Sequence, residues 1–389
     1  MEKAETYNDN LIENEDISSV ETITTPFSPG DITLSTPPMN LGDLIDMIDA
    51  GWIVFDTDYQ REGNLWDDTK QSRLIESVLL GLRLPAFYFE EVEKRKWNII
   101  DGLQRCCAIK NFCINNSLRL KNLEFLSEQF GNKNYSDLSF ETTRDIRMLP
   151  ITVNLLDKGT PDPVKYILFK RLNTGGINLT LQEVRNAMFQ GKVVNTLKEM
   201  AQDEKFLEAT EHKIPTKRKE DLDFISRFTT FYLLDYKEYQ PDLESYINKS
   251  MKMLRDELSD EQIESMKKDF NKAMTIAFEI FGNDAFRRRY DENASRNPIN
   301  KAYFEVISTT FARLTDFEQE RLIQNKDLLK QNLLVFMKND IYQSSFSGGT
   351  ATKDSVTKRF GGFNEIIRRT VNNHKIAINN DNKIENSEL

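Results

Sequence analysis

The spacing of apolar residues changes about halfway along the chain. The stretch PPMNLGDLIDMIDAG places Leu41, Leu44, Ile45 and Ile48 on one face of a predicted helix that ends at Gly51. Strand patterns then alternate with helix patterns. The strands are WIVFD, LPAFYFEEV, KWNIID and LPITVNLLD, and the helices are DDTKQSRLIESVLLGL, DPVKYILFKRLN and TLQEVRNAMFQG. From about residue 192 onward the pattern is almost wholly helical.

This order of elements predicts an α+β fold, in which a mixed sheet domain is followed by an all-helical domain. Residues 1–37 are acidic, rich in Thr, Ser and Pro, and without a period, which is typical of a disordered tail. We therefore predict a tail at 1–37, the sheet domain at 38–192, the helical domain at 193–375 and a second disordered tail at 376–389.

Composition narrows the class of protein. The chain has 389 residues, 39% of them hydrophobic, and no apolar run near the roughly 20 residues that span a bilayer. The start MEKAETYNDN lacks a secretory leader, so we expect a soluble, cytoplasmic protein without membrane contact. Because Cys106 and Cys107 are adjacent, they cannot cross-link a secreted fold with a disulfide bond. The sequence also lacks a CxxC pair, so we expect buried thiols and no metal ligands. The net charge of −10 argues against a protein coated in nucleic acid, although local basic clusters can still bind it.

The first candidate site is the segment KWNIIDGLQR. Asp101 and Gly102 follow a predicted strand, and ligands commonly bind where a strand is followed by a helix. Gly102 permits a tight turn, Arg105 can hold a phosphate, and Gln104 can orient it. A structural alternative stays open, in which Asp101 only caps the helix and Arg105 pairs with it locally.

Two further segments carry residues of the same character at the ends of predicted elements. DYQREGNLW and FKRLNTGGINLTLQEVRNAMFQG supply the remaining candidates for a nucleotide-binding cleft, which are Tyr59, Gln60, Arg61, Arg171, Asn173, Thr174 and Arg185. Structural alternatives exist here too. Thr180 can cap a helix with Glu183 as its capping-box partner, and Asn173 and Arg185 can serve loop bonding or solvation.

Together these motifs resemble the N-terminal domain of the GmrSD type IV restriction proteins, whose signature is written DGQQR. Asp101, Gly102, Gln104 and Arg105 correspond to that signature, and Leu103 replaces its first Gln. The resemblance spans roughly residues 40–192. It implies a ParB/sulfiredoxin-like core that binds a nucleoside triphosphate, with hydrolysis and Mg²⁺ as further expectations, in bacterial defence against modified phage DNA.

Two functional hypotheses follow. In the first, the chain is an NTPase or a metal-dependent DNA endonuclease with Asp101, Gln104 and Arg105 as catalytic residues, and the nucleotide is held by Gly102 and Arg105 together with the cleft residues named above. In the second, the chain is a non-catalytic sensor of DNA or nucleotide that recruits or regulates a separate effector protein. Self-association is left open. A thiol reaction like that of sulfiredoxin ranks third.

The C-terminal half separates the chain from longer relatives. An HNH nuclease needs several histidines, whereas His212 and His374 are the only ones here and neither has an HNH-like setting, so we expect no such nuclease. Basic clusters in this half predict DNA backbone contacts through Lys217, Arg218, Arg287, Arg288, Arg359 and Arg368. Solvated helix faces are the alternative for these cations.

Overall fold

The computed structural model describes residues 12–13, 34–55, 66–172, 180–289 and 296–387. The chain divides into a sheet unit, residues 25–179, and a helical unit, residues 1–24 with 180–389. The predicted boundary was 192, so the last predicted helix of the first domain begins the helical unit instead. Within the described ranges, none of the helices has the length and apolarity needed to cross a membrane.

The sheet unit combines short strands with helices, as the change of period predicted. Its strands are β1 (Leu34–Ser35), β2 (Met39–Asn40), β3 (Ile53–Val54), β4 (Phe87–Glu93), β5 (Lys96–Asp101), β6 (Pro150–Ile151) and β7 (Val153–Leu156). Its helices are α1 (Leu41–Asp49), α2 (Asp68–Leu79), α3 (Leu103–Ile109), α4 (Ser127–Phe130), α5 (Phe140–Met148) and α6 (Asp162–Leu172). A π-helical turn, Lys110–Ile114, continues α3.

Five of the strands form one mixed sheet in the order β1-β7-β4-β5-β3. The predicted hairpin of β4 and β5 is confirmed as an antiparallel pair, while β7 lies parallel to β4 and β3 parallel to β5. Strands β2 and β6 form a separate antiparallel pair. The core beneath contains Leu44, Phe87, Phe89, Ile109 and Phe112, all of them fully buried. The sheet followed by helices confirms the α+β class.

The helical unit is built on a large apolar core. Its helices are α7 (Leu181–Met188), α8 (Lys192–Ala201), α9 (Glu204–Ala209), α10 (Glu220–Leu233), α11 (Leu243–Asp256), α12 (Asp260–Phe281), α13 (Lys301–Ala312), α14 (Asp316–Gln324), α15 (Lys326–Lys338), α16 (Asp340–Ser344) and α17 (Lys353–Val371). Within this core the Phe228 and Phe270 rings have centroids 4.7 Å apart, and the Phe224 and Phe304 rings 5.0 Å apart.

Parts of both predicted tails have defined contacts. Glu13 forms an ion pair with Arg288, and its backbone N–H donates to the Ile299 carbonyl at 2.9 Å. At the other end, residues 376–389 contain an antiparallel hairpin of β8 (Ile376–Ile378) and β9 (Ile384–Asn386). Ile376 is buried, and its N–H donates to the side-chain oxygen of Asn332 at 3.0 Å. One buried isoleucine and its bonded amide thus anchor the hairpin in a segment whose composition predicted a tail.

Candidate functional site

The DGLQR segment forms a strand-to-helix turn at one end of the mixed sheet. Asp101 is the last residue of β5 and pairs with Tyr88 of β4. Gly102 follows with a φ of 105°, a left-handed conformation that favours glycine, and Leu103 begins α3. A Cβ atom at Gly102 would lie 2.6 Å from Cδ1 of Phe87. Backbone geometry and packing therefore both require glycine at this turn.

Arg105 lies behind the turn, where it is only 8% exposed. Its guanidinium donates to the backbone carbonyls of Pro85 and Ala86, the latter at 3.2 Å, and its charged end stacks 4.5 Å from the centre of the Phe87 ring. Nη2 also donates to Oδ2 of Asp101 at 2.6 Å. Arg105 thus connects the segment before β4 to the turn. Its local pairing with Asp101, which was one of the alternatives from the sequence, is present.

Asp101 is the acid at this turn, and 29% of its side chain is exposed. Burial raises the pKa of its carboxyl above the ordinary value, while the charge of Arg105 and hydrogen bonds from Gly102 and Arg105 act in the opposite direction. No side-chain cap bond is made at the start of α3, where the N-cap residue is Gly102. The Asp101 carboxylate therefore holds Arg105 through an ion pair, and the exposed part of its side chain is accessible from solvent.

Gln104 belongs to a polar network that sequence reasoning missed. Its side-chain oxygen accepts a 2.8 Å hydrogen bond from the backbone N–H of Trp66. Gln71 of α2 donates to the Trp66 carbonyl at 2.7 Å, and its oxygen accepts from Asn111 at 2.9 Å. The available signal was Gln71, a polar residue in the apolar stripe of its helix that is only 6% exposed. This network fixes Gln104 beside the turn.

A second polar cluster that the sequence did not single out lies on β4. Nζ of Lys165, on α6, is 2.5 Å from Oε1 of Glu90 and 3.5 Å from Oδ1 of Asp162. Lys165 and Glu90 are both buried. Their pairing attaches α6 to the sheet, because leaving either charge buried and unpaired would be costly.

The three cysteines are free thiols, as expected. Cys106 is fully buried, and burial raises its pKa far above the ordinary range. Burial also raises the pKa of Cys107 to about 11 and that of Cys113 to about 12. Because the thiolate is the reactive form, this environment disfavours the thiol reaction that ranked third.

Several predicted cleft residues lie outside the described residues, namely Tyr59, Gln60, Arg61, Asn173 and Thr174. Arg171 is described and lies exposed at the end of α6. The structure therefore brings together Asp101, Gly102, Gln104 and Arg105 at one turn.

Arg185 lies in the helical unit, in a buried network of charges. It is 2% exposed and forms ion pairs with Glu244 and, at 2.8 Å, with Asp223. Its Nε donates to Gln182 at 2.7 Å. In the same helix, the Thr180 and Glu183 capping box is confirmed. The LTLQEVRNAMF motif thus anchors the first helix of this unit through polar contacts in its interior.

The six cations predicted to contact DNA differ in exposure. Arg359 is 1% exposed and bonded to Glu305, while Arg287 and Arg288 are buried against Glu211 and Glu13. Arg218 is half-buried and pairs with Glu183 at 3.3 Å. Lys217 and Arg368 are exposed. Of these six side chains, only those two are exposed, and Arg368 also pairs with Glu365 at 2.6 Å.

Comparison with known proteins gives one match. Residues 41–190 match the family model described as the GmrSD restriction endonuclease, N-terminal domain. The matched region starts at α1 and extends just beyond α7, so it includes all three motif segments. No curated protein and no solved structure matches the chain significantly.

Proposed function

We propose that this chain, whose residues 41–190 carry a GmrSD-type N-terminal domain, binds a nucleoside triphosphate at the Asp101–Gly102 turn. A GmrSD N-terminal domain suggests a protein of a restriction or anti-phage system. The observation that carries the proposal of triphosphate binding is the left-handed Gly102 between β5 and α3, with Asp101 partly exposed beside it. A turn of this kind lets the backbone approach a ligand closely at the end of a strand.

In this proposal each residue of the turn has a separate role. Gly102 provides the close backbone approach, and Gln104 is fixed by Trp66 so that its position does not depend on the ligand. Arg105 is a positioning residue, because its guanidinium is held by two backbone carbonyls, the Phe87 ring and Asp101. It keeps a positive charge behind the turn, where it favours an anion in front.

A magnesium ion held by the protein fits this turn poorly. The Asp101 carboxylate is bonded to Arg105, and its pKa is raised by burial. Among the described residues, no group of three or more His, Cys, Asp or Glu side chains could hold a metal ion. In the proposal, Mg²⁺ arrives on the oxygens of the triphosphate, as is usual for this ion.

The test is calorimetric titration of ATP, GTP, CTP and UTP into the full chain, with and without magnesium. We expect at least one triphosphate to bind. Asp101→Asn removes a negative charge at the turn, so it should tighten magnesium-free binding about threefold or more. Asp145→Asn, the same change at a side chain that is 70% exposed, is the matched control and should leave affinity unchanged.

The titration has three possible outcomes. If no triphosphate binds the wild-type chain, the proposal is wrong. If a triphosphate binds and phosphate is released, the chain is an NTPase and Asp101 is the acid to test first. Binding without phosphate release would instead support the non-catalytic sensor that recruits a separate effector.

We further propose that the protein acts on or senses DNA in the cytoplasm. Lys217 and Arg368 are the exposed cations through which the helical unit would contact a DNA backbone. Three free cysteines fit a reducing compartment. Weaker DNA binding by a Lys217→Ala, Arg368→Ala variant, with a smaller salt dependence, would support these contacts.

A further inference from the structure

The helical unit contains a cavity lined by both apolar and charged side chains. It has a volume of about 250 Å³ and lies among α12, α13 and α15. Its apolar wall is formed by Phe281, Tyr303, Leu333, Leu334 and Met337. This volume is just below the roughly 300 to 1,000 Å³ of ordinary ligand clefts, so the cavity suits a group the size of one nucleotide.

Cations also line the cavity. Arg287, Arg289 and Lys330 contribute to the lining together with one acid, Asp284. Nε of Arg289 donates to Oδ2 of Asp284 at 3.1 Å, which orients a guanidinium that is 29% exposed. Lys330 is exposed, and within the described part of the chain no acidic side chain pairs with it. It is therefore available to an anionic ligand.

Several described cations cluster beside this cavity. Arg287 is buried and held by Glu211 at 3.2 Å, and Arg296 shares both Glu211 and Asp284. Among the described side chains, Lys213, Arg287, Arg289 and Arg296 share the two carboxylates of Glu211 and Asp284, so cations are concentrated here in a protein of net charge −10. A cluster of cations beside a low-dielectric wall attracts anions.

We propose that this cavity binds an aromatic base that carries a phosphate, with the base against the apolar wall and the phosphate on Arg289 and Lys330. An apolar wall containing two aromatic side chains suits a planar base, because stacking and burial act on any base. A guanidinium and an ammonium in the lining suit a phosphate. This site goes beyond the proposed function, since it lies in the helical unit and shares no residue with the Asp101–Gly102 turn.

The first test is titration of AMP, adenosine and inorganic phosphate into the full chain. We expect AMP to bind more tightly than either part, because only AMP uses both the apolar and the cationic lining residues. Lys330→Glu should weaken AMP binding about tenfold or more, the effect of losing a charge-assisted contact. Lys268→Glu makes the same change at an exposed lysine of α12 that does not line the cavity, and it should leave AMP affinity unchanged.

A second variant tests the apolar wall. Leu334→Trp should fill the cavity from a half-buried position and abolish AMP binding, while the melting temperature stays near that of the wild type. The source of the phosphate is decided by comparing AMP with a short 5′-phosphorylated oligonucleotide. Tighter binding of the oligonucleotide would identify the end of a strand as the ligand, and tighter binding of AMP a free nucleotide.

Two results would overturn this proposal. One is that AMP fails to bind the wild-type chain. The other is that Lys330→Glu and Lys268→Glu affect AMP binding equally, which would indicate general electrostatic attraction or another site. Failure of triphosphate binding at the Asp101–Gly102 turn would leave AMP binding that depends on Lys330 intact. Conversely, a failure of AMP to bind at the cavity would leave the result of the triphosphate titration unaffected.

Discussion

Arg105 donates a 2.6 Å hydrogen bond to Asp101, four residues earlier, across the left-handed glycine that separates strand from helix. The same guanidinium is bonded to the carbonyls of Pro85 and Ala86. Arg105, which the sequence predicted to hold a phosphate, therefore also stabilises the fold. Most of its bonding capacity is directed into the protein, so its effects on stability and on ligand binding must be measured separately.

Arg105→Ala should lower the free energy of unfolding by about 3 kcal/mol, because it leaves Asp101 and buried carbonyls without their partner. Urea denaturation of the purified chain measures this loss. Arg144→Ala, which removes an arginine that is 56% exposed, should cost less than about 0.5 kcal/mol. Reduced triphosphate affinity with unchanged stability would show that Arg105 binds the ligand directly.

Gly102→Ala should destabilise the sheet unit by about 2 kcal/mol or more. The added methyl group would meet the Phe87 ring at 2.6 Å, and the φ of 105° is strained for alanine. Gly159→Ala is the matched control, since a Cβ there meets no atom within 4 Å and the φ is not positive. Equal melting temperatures for the two variants would contradict this account of the turn.

Leu103→Gln restores the DGQQR signature that this sequence resembles. Leu103 is half-buried at the start of α3, so the change should affect stability by less than about 1 kcal/mol. If the signature's first amide contacts the ligand, triphosphate affinity should rise about twofold to tenfold, the effect of one neutral hydrogen bond. Titration of the same nucleotide into both proteins measures it, and an unchanged affinity would mean that position 103 does not reach the ligand.

Arg359→Leu should cost about 3 kcal/mol of stability, because it removes one of the two arginines, Arg359 and Arg227, that pair with the completely buried Glu305. Arg368→Leu, at a side chain that is 63% exposed, should cost less than about 1 kcal/mol. Thermal unfolding of both variants makes the comparison. A wild-type melting temperature for Arg359→Leu would show that its buried pair with Glu305 is dispensable.

Glu211 should make stability depend on acid pH. The hydrogen bond from Arg296 lowers the pKa of Glu211 to about 2, from an ordinary value of 4.5. The ionised side chain therefore stabilises the fold above pH 4.5, and this contribution is lost as the pH falls toward about 2.

Glu211→Gln should accordingly be less stable than the wild type at pH 7, by on the order of 2 kcal/mol. That difference should shrink steadily below about pH 4.5. Denaturant unfolding at several pH values measures it, with the exposed Glu257→Gln as control. A stability difference that did not change with pH would contradict the role given to this ion pair.

The sequence by itself determined the main elements of the sheet domain and the turn, whereas the β8–β9 hairpin lies in a segment predicted as a tail. The alternating apolar pattern gave the β4–β5 pair, the 3.6-residue pattern gave the helices, and Thr180 with Glu183 gave a capping box, because these features depend on neighbours within a few residues. The same local logic predicted Asp101 and Gly102 at the junction of strand and helix, and the pairing of Arg105 with Asp101 as one alternative.

Only the tertiary structure decided which polar residues are accessible. Arg185 has partners 38 and 59 residues away in the sequence, Asp223 and Glu244, and these hold it in the interior of the helical unit. Arg359 likewise finds Glu305 54 residues away. A buried charge is stable only when its partners reach it, and partners so distant in the chain are brought together by packing of the core, which no local pattern records.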